Sequence, residues 1–137
     1  MLASFKEKTT YIAQGEALAP LLALWYEQAL LSNCHVLFFI DNMGCLSALT
    51  SGSSSVADFS PILHAFWMLA AKMRVRPWFE HVDTHANPSD GGSRVGTLCP
   101  LAGALGIRLT NVKFPPWPRD VCAASPDSWM RVFSSME

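Results

Sequence analysis

The feature of this sequence that most restricts its fold is a short apolar run that ends in two polar residues. His35–Ile40 reads His-Val-Leu-Phe-Phe-Ile and is followed at once by Asp41 and Asn42. A run of this length, almost wholly apolar and bounded by polar residues, predicts a strand buried on both faces of a sheet. We therefore expect a central strand of a layered domain at this point in the chain.

The segment before this run has a helical pattern. Apolar residues between Gln14 and Leu31 recur at intervals of three and four, which predicts one long amphipathic helix that stops at Asn33. Pro20 falls inside the pattern, so we expect the first helical turn to begin only at about residues 17–19, where proline is tolerated.

The segments after the run alternate between helix and strand. Residues 42–50 predict a short helix, and residues 61–73 predict a longer one, capped by Asp58 or Ser60. Pro77 interrupts, and Trp78–Val82 then reads as a second strand. Helices alternating with apolar strands predict an α/β fold class with parallel pairing.

The last third of the chain is less regular. Residues 88–105 predict a final helix that four glycines weaken. We expect residues 1–108 to form the domain. Residues 109–137, rich in proline and tryptophan, are expected to form an extended tail laid over the body or over a partner.

Composition narrows the function classes. The chain has 10 Lys and Arg against 11 Asp and Glu, so no overall basic field favours a nucleic-acid backbone. Its four cysteines form no CxxC pair, which favours reduced thiols over a zinc site or a disulfide framework. The absence of a signal peptide and of an apolar stretch near 20 residues predicts a soluble, intracellular protein with no membrane partner.

Three acidic residues could carry chemistry. Asp41 directly follows the apolar strand, and ligands of open α/β sheets bind just beyond the carboxyl ends of the strands. Glu16 lies near the start of the first helix, and Asp90 near the start of the last. Each also has a purely structural explanation, because Asp41 could cap the following helix and the other two suit the positive end of a helix dipole.

The order of these residues resembles a known family. Gly15-Glu16-Ala17-Leu18-Ala19 is followed by Phe38-Phe39-Ile40-Asp41-Asn42 and then by Val82-Asp83-Thr84-His85-Ala86-Asn87-Pro88-Ser89-Asp90-Gly91-Gly92-Ser93-Arg94. Together these segments resemble the ribonuclease H-like domains attached to retroelement reverse transcriptases, over about residues 10–94. The resemblance implies a ribonuclease H-like three-layer fold, truncated at its N-terminal strands.

The resemblance also implies a two-metal nuclease. In that family a few carboxylates hold two Mg²⁺ ions, for which Mn²⁺ can substitute, and the RNA strand of an RNA/DNA hybrid is cut. By position, Glu16, Asp41 and Asp90 would be the metal ligands, and His85 would match a mobile-loop histidine that assists proton transfer or product release. The residues expected at the phosphate or sugar of the substrate are Asn42 and Arg94.

The sequence departs from the family at its start. The family carries a first aspartate on an opening strand, whereas only 15 residues precede Glu16 here, enough for one strand of about 3.3 Å per residue but not for three. A partner protein or a second copy could complete the sheet. The alternative function is a degenerate, non-catalytic ribonuclease H-like module that serves as a structural or interaction subunit of a larger assembly.

Overall fold

The computed structural model describes residues 12–88, 103–106 and 113–136. It combines helices with a two-stranded parallel sheet, which confirms the α/β fold class. None of the described helices has both the length and the apolar character needed to cross a membrane. The α-helices that lie wholly within the described residues are α1 (Ile12–Tyr26), α2 (Gln28–Leu31), α3 (Met43–Ser51), α4 (Ser60–Lys72) and α5 (Pro126–Ser134), and the strands there are β1 (His35–Ile40) and β2 (Arg76–His81).

The two strands run side by side in the same direction. His35 pairs with Arg76 at one end of the ladder and Ile40 pairs with His81 at the other. Helices α3 and α4 make the connection, as a parallel pair requires a long crossover. The carboxyl ends of both strands therefore meet at one edge of the sheet.

Only one face of the sheet is buried among the described residues. Phe38 and Phe79 stack on each other there, with ring centroids 5.6 Å apart, and both lie against Phe66 of α4. On the opposite face Leu37 and Phe39 remain exposed. The prediction that this strand is buried on both faces is wrong, because an unbroken apolar run does not distinguish a covered strand from one with an apolar, solvent-facing side.

Strand β2 begins two residues earlier than its sequence indicates. The backbone N–H of Arg76 donates to the carbonyl of Cys34, just before β1, at 2.9 Å, and that of Val82 donates to the carbonyl of Ile40, the last residue of β1, at 3.0 Å. Alternate residues of β2, those with even numbers, direct their backbone N–H groups to β1. The nitrogen of Pro77 therefore points to the opposite, outer edge of the strand. Since no ladder bond is lost at an edge, proline is tolerated inside β2.

Helix α1 also differs from its prediction. Pro20 lies well inside the helix rather than in its first turn, and the helical region is split at Glu27 into α1 and α2. The fully buried Leu21 and Leu24 show that core packing holds the helix together across the proline. Asn33 adopts a positive φ of 63° after α2, which confirms the predicted stop.

The start of α4 is capped differently from its prediction. Its N-cap residue is Phe59, which makes no side-chain cap, so neither Asp58 nor Ser60 has the predicted role. The Ser60 hydroxyl instead donates to the carbonyl of Ser54 at 3.4 Å. Pro61 does lie in the first turn, where its missing N–H is harmless.

The C-terminal segment packs into the same core as the body of the protein. Trp129 and Phe133 of α5 are buried with α1 and α4, and Lys72 of α4 donates to the carbonyl of Phe133. The prediction of an extended tail is therefore wrong over α5, because the cap made by Ser125 and the two buried aromatics favour a helix there. The predicted helix over residues 88–105 lies for the most part outside the described residues.

Candidate metal site at the carboxyl ends of the strands

The candidate site lies where both strands end. Asp41 follows the last residue of β1, and Asp83 lies just beyond the end of β2. The N–H of Val82 donates to the carbonyl of Ile40 at 3.0 Å, so the pairing continues past β2 and holds the two loops together. This is the position at which open α/β sheets bind ligands.

Asp41 does not cap the helix that follows it. The backbone N–H of Cys45 donates to Oδ1 of Asn42 at 3.0 Å, so Asn42 is the N-cap of α3. A Cβ on Gly44 would lie 3.2 Å from that same oxygen, so glycine leaves room for the cap. The structural explanation of Asp41 as a cap is therefore wrong, and its carboxylate remains available for another role.

Asp41 instead accepts a hydrogen bond from a distant loop. Nδ2 of Asn87 donates to Oδ2 of Asp41 at 3.1 Å. Asn87 ends a short 3₁₀ turn, Thr84–Ala86, that Asp83 caps by accepting the N–H of His85 at 3.1 Å. The loop after β2 is thereby fixed against the aspartate at the end of β1.

Glu16 brings a second carboxylate to the same place from α1. Burial raises its pKa above the ordinary value of 4.5, the negative charge of Asp41 raises it further, and a hydrogen bond from the side chain of Asn42 lowers it in part. The Oε2 atom of Glu16 is buried and has no hydrogen-bond partner. A buried carboxylate oxygen without a partner is costly, and such an oxygen beside a like charge is what a cation would satisfy.

The pKa of the Cys45 thiol depends in part on the same two charges. Burial raises its pKa to about 12, with further contributions from Glu16 and Asp41. Cys45 therefore stays protonated at neutral pH and is a poor metal ligand. The donors at this site are oxygen atoms, and Mg²⁺ prefers oxygen donors, a few from carboxylates and the rest from water and substrate.

The structure accounts for some of the predicted site residues. It brings Glu16, Asp41 and Asn42 together, and it places the exposed His85 in the loop that is fixed to Asp41. Asp90 and Arg94 lie outside the described residues.

Sequence reasoning assigned no role to Asn87 or Cys45. The position of Asn87 in the His-x-Asn-Pro motif could have indicated a loop that reaches back to the strand, whereas nothing in the local sequence marks Cys45.

Within residues 12–88, 103–106 and 113–136, no group of three or more His, Cys, Asp or Glu side chains is arranged to hold a metal ion. The described part of the site is a pair of carboxylates, Glu16 and Asp41. No model of a known protein family matches the sequence, and neither a curated protein nor a solved structure matches it significantly.

Proposed function

We propose that this chain is a ribonuclease H-like, metal-dependent nuclease domain of the retroelement type, acting on the RNA strand of RNA/DNA hybrids. The observation that carries the proposal is the buried, unpartnered Oε2 of Glu16 beside Asp41, at the strand ends where α/β sheets bind ligands. The resemblance of the segments around Glu16, Asp41 and Asn87 supports the choice of reaction.

The proposed roles at the site are metal binding and the positioning of the metal ligands. Glu16 and Asp41, with Asp90 from outside the described residues, would hold the Mg²⁺ ions. Bound metal would activate a water molecule and stabilise the leaving oxygen of the cleaved strand. Asn42 and Asn87 are positioning residues, because each hydrogen-bonds one of the two described carboxylates.

Two further residues have proposed roles at the substrate. His85 is exposed in the loop after β2 and would exchange protons with solvent or product. Arg94 would contact a substrate phosphate, for which its guanidinium is suited.

Cleavage of a labelled RNA/DNA hybrid tests this proposal. We expect the chain to cut the RNA strand in Mg²⁺ or Mn²⁺, and Asp41→Asn to lose at least about 100-fold in rate because a metal ligand is neutralised. Asp127→Asn is the matched control, since Asp127 is exposed in the first turn of α5. Equal rates for wild type and Asp41→Asn would refute the metal role of Asp41.

A non-catalytic role has one observation in its favour. The sheet face that carries Leu37, Phe39 and Trp78 is apolar and exposed, as expected of an interaction module. No cleavage above the Asp41→Asn background, together with no metal-dependent rise in melting temperature, would favour this second function. A metal-dependent rise without cleavage would point to a metal site that lacks a complete nuclease centre.

A further inference from the structure

The sheet face turned away from the helices carries an ordered set of side chains. Read from the amino ends of the strands to the carboxyl ends, its rows are basic, then apolar, then aromatic beside acidic. The strand register places the members of each row side by side: His35 with Arg76, Leu37 with Trp78, and Phe39 with Glu80.

The centre of this face exposes a large amount of apolar surface. Leu37 is 51% exposed, Phe39 60% and Trp78 66%. Contiguous apolar side chains of this size on a solvent-exposed protein surface indicate contact with another molecule. The sheet has two strands among the described residues and such a sheet is marginal by itself, so covering its exposed face would stabilise it.

We propose that this face packs against the same face of a second copy of the chain, with the strands of the two copies antiparallel. A two-fold axis that lies between the sheets, perpendicular to the strands, places the first row of each copy on the last row of the other. Arg76 then faces Glu80 of the second copy, and Trp78 meets its own counterpart. In the parallel arrangement, with the two-fold axis along the strands, Arg76 would lie opposite His35 and Glu80 opposite Phe39 of the second copy, so no pair of Arg76 with Glu80 would form.

The charged groups of the face can make these contacts without giving up their present bonds. Nη1 of Arg76 donates to Nε2 of His35 at 2.9 Å, which leaves further N–H groups of the guanidinium available. Oε1 of Glu80 accepts from Nε1 of Trp78 at 2.8 Å, and its second oxygen can accept from an arginine. The charge pattern thus selects an antiparallel copy, while the apolar centre supplies the affinity.

A strand of nucleic acid suits this face less well. Trp78 and Phe39 could stack on bases, and Arg76 could meet a phosphate. Glu80, however, hydrogen-bonds to Trp78 itself and would repel the phosphate backbone at that point. A second copy accommodates the arginine and the glutamate together, and it is therefore the occupant we propose.

Analytical ultracentrifugation of the full chain and its variants tests the dimer. The interface is small, so we expect a Kd on the order of 100 μM, with the mass rising from 15.0 kDa toward twice that value over about 10 to 1000 μM. Arg76→Glu and Glu80→Arg should each be monomeric, because each places like charges in contact. An equimolar mixture of the two variants should form a heterodimer, and the chain carrying both changes should dimerise again.

Val56→Glu is the control, because Val56 is 52% exposed in a loop away from this face and its variant should dimerise as wild type does. Circular dichroism verifies that each variant is folded. A wild-type chain that stays monomeric throughout the series would overturn the proposal. So would a dimer that both single variants still form, because that dimer would use another surface.

Discussion

At the residue scale, the unusual group is Glu16. Its carboxylate is partly buried beside the like charge of Asp41, and its buried Oε2 atom has no hydrogen-bond partner. Such an arrangement opposes folding, and proteins retain it where a ligand will offset it. The metal proposal therefore has a consequence for the metal-free protein that is independent of any activity assay.

Glu16→Gln should stabilise the metal-free protein at pH 7. The substitution removes the charge that burial and Asp41 disfavour, and we expect a gain in the free energy of unfolding of up to about 1 kcal/mol after solvent screening. Urea unfolding measures it, with Glu27→Gln as the control, because Glu27 is exposed between α1 and α2. Lower stability in Glu16→Gln would show that the glutamate is held by favourable contacts instead.

The gain should depend on pH in a defined direction. Because the pKa of Glu16 is raised on folding, the native state binds more protons than the unfolded state in the window above 4.5. With Glu16 protonated, the wild-type protein therefore has its full stability below pH 4.5, and it loses part of that stability as the pH rises through the folded pKa of Glu16. The advantage of Glu16→Gln should vanish in acid, and a constant difference at all pH values would contradict the raised pKa.

Cys45 predicts a second pH effect at the alkaline end. Its pKa rises from 9.0 to about 12 on folding, so the unfolded chain loses the proton first and stability falls as the pH rises above 9. Relative to Cys45→Ala, wild type should lose up to about 4 kcal/mol by pH 12. Thermal melts at a series of pH values measure the difference. Parallel curves for the two proteins would show that the thiol titrates normally.

At the element scale, helix α3 depends on Asn42. Its side chain caps α3 through the N–H of Cys45 and also hydrogen-bonds Glu16. An element boundary and the candidate site thus share one residue. Asn42 therefore positions both α3 and the candidate site, and its expected contact with the substrate stays a prediction.

Asn42→Ala should lower the free energy of unfolding by about 1 kcal/mol through the lost cap. Asn42→Ser, which can still accept from the N–H of Cys45, should recover most of that loss. Urea titrations of both variants give the comparison, and a shared slope with denaturant shows that only the stability has changed. If serine is no better than alanine, the cap contributes little.

The elements that sequence reasoning located are those set by local pattern. His35–Ile40 was found at its observed bounds because an apolar run between polar residues has few other solutions. The exposure of one of its two faces was not predicted, because the residues that cover or leave open a strand face lie far along the chain. Asn42, the actual cap, was not predicted either, since Asp suits the position as well as Asn and only the backbone geometry separates Asp41 from Asn42.

Proline explains the other local errors. The sequence pattern predicts that Pro20 and Pro77 each limit an element, whereas each lies inside one. In α1 the buried face outweighs the lost hydrogen bond, and in β2 the proline nitrogen faces an edge. Both outcomes are set by tertiary position, which the sequence around a proline does not report.

At the scale of the whole molecule, α5 joins the core instead of lying apart. Trp129 packs between Trp117 and Phe133, and the latter also contacts Trp25 of α1. The N- and C-terminal regions of the described chain therefore share one hydrophobic cluster. We expect them to unfold together as a single cooperative unit.

Phe133→Ala should test this integration. Removing a buried aromatic ring costs about 3–5 kcal/mol, and the loss should appear in the exchange protection of β1 and β2 amides as well as in α5. Met130→Ala is the control, because Met130 is 55% exposed on the same helix and should change stability by less than about 0.5 kcal/mol. Strand amides that keep their full protection in Phe133→Ala would show that α5 is an independent attachment.

The hydrogen bond between Asn87 and Asp41 spans 46 residues and therefore bears on the order of folding. Helices form from neighbouring residues in about a microsecond, whereas contacts between distant residues wait for a long loop to close. The loop that carries Asn87 can reach Asp41 only after α3 and α4 have brought β2 to β1. On a growing chain, Asp41 is thus synthesised early but gains its hydrogen bond from Asn87 late, in the same event that closes the sheet.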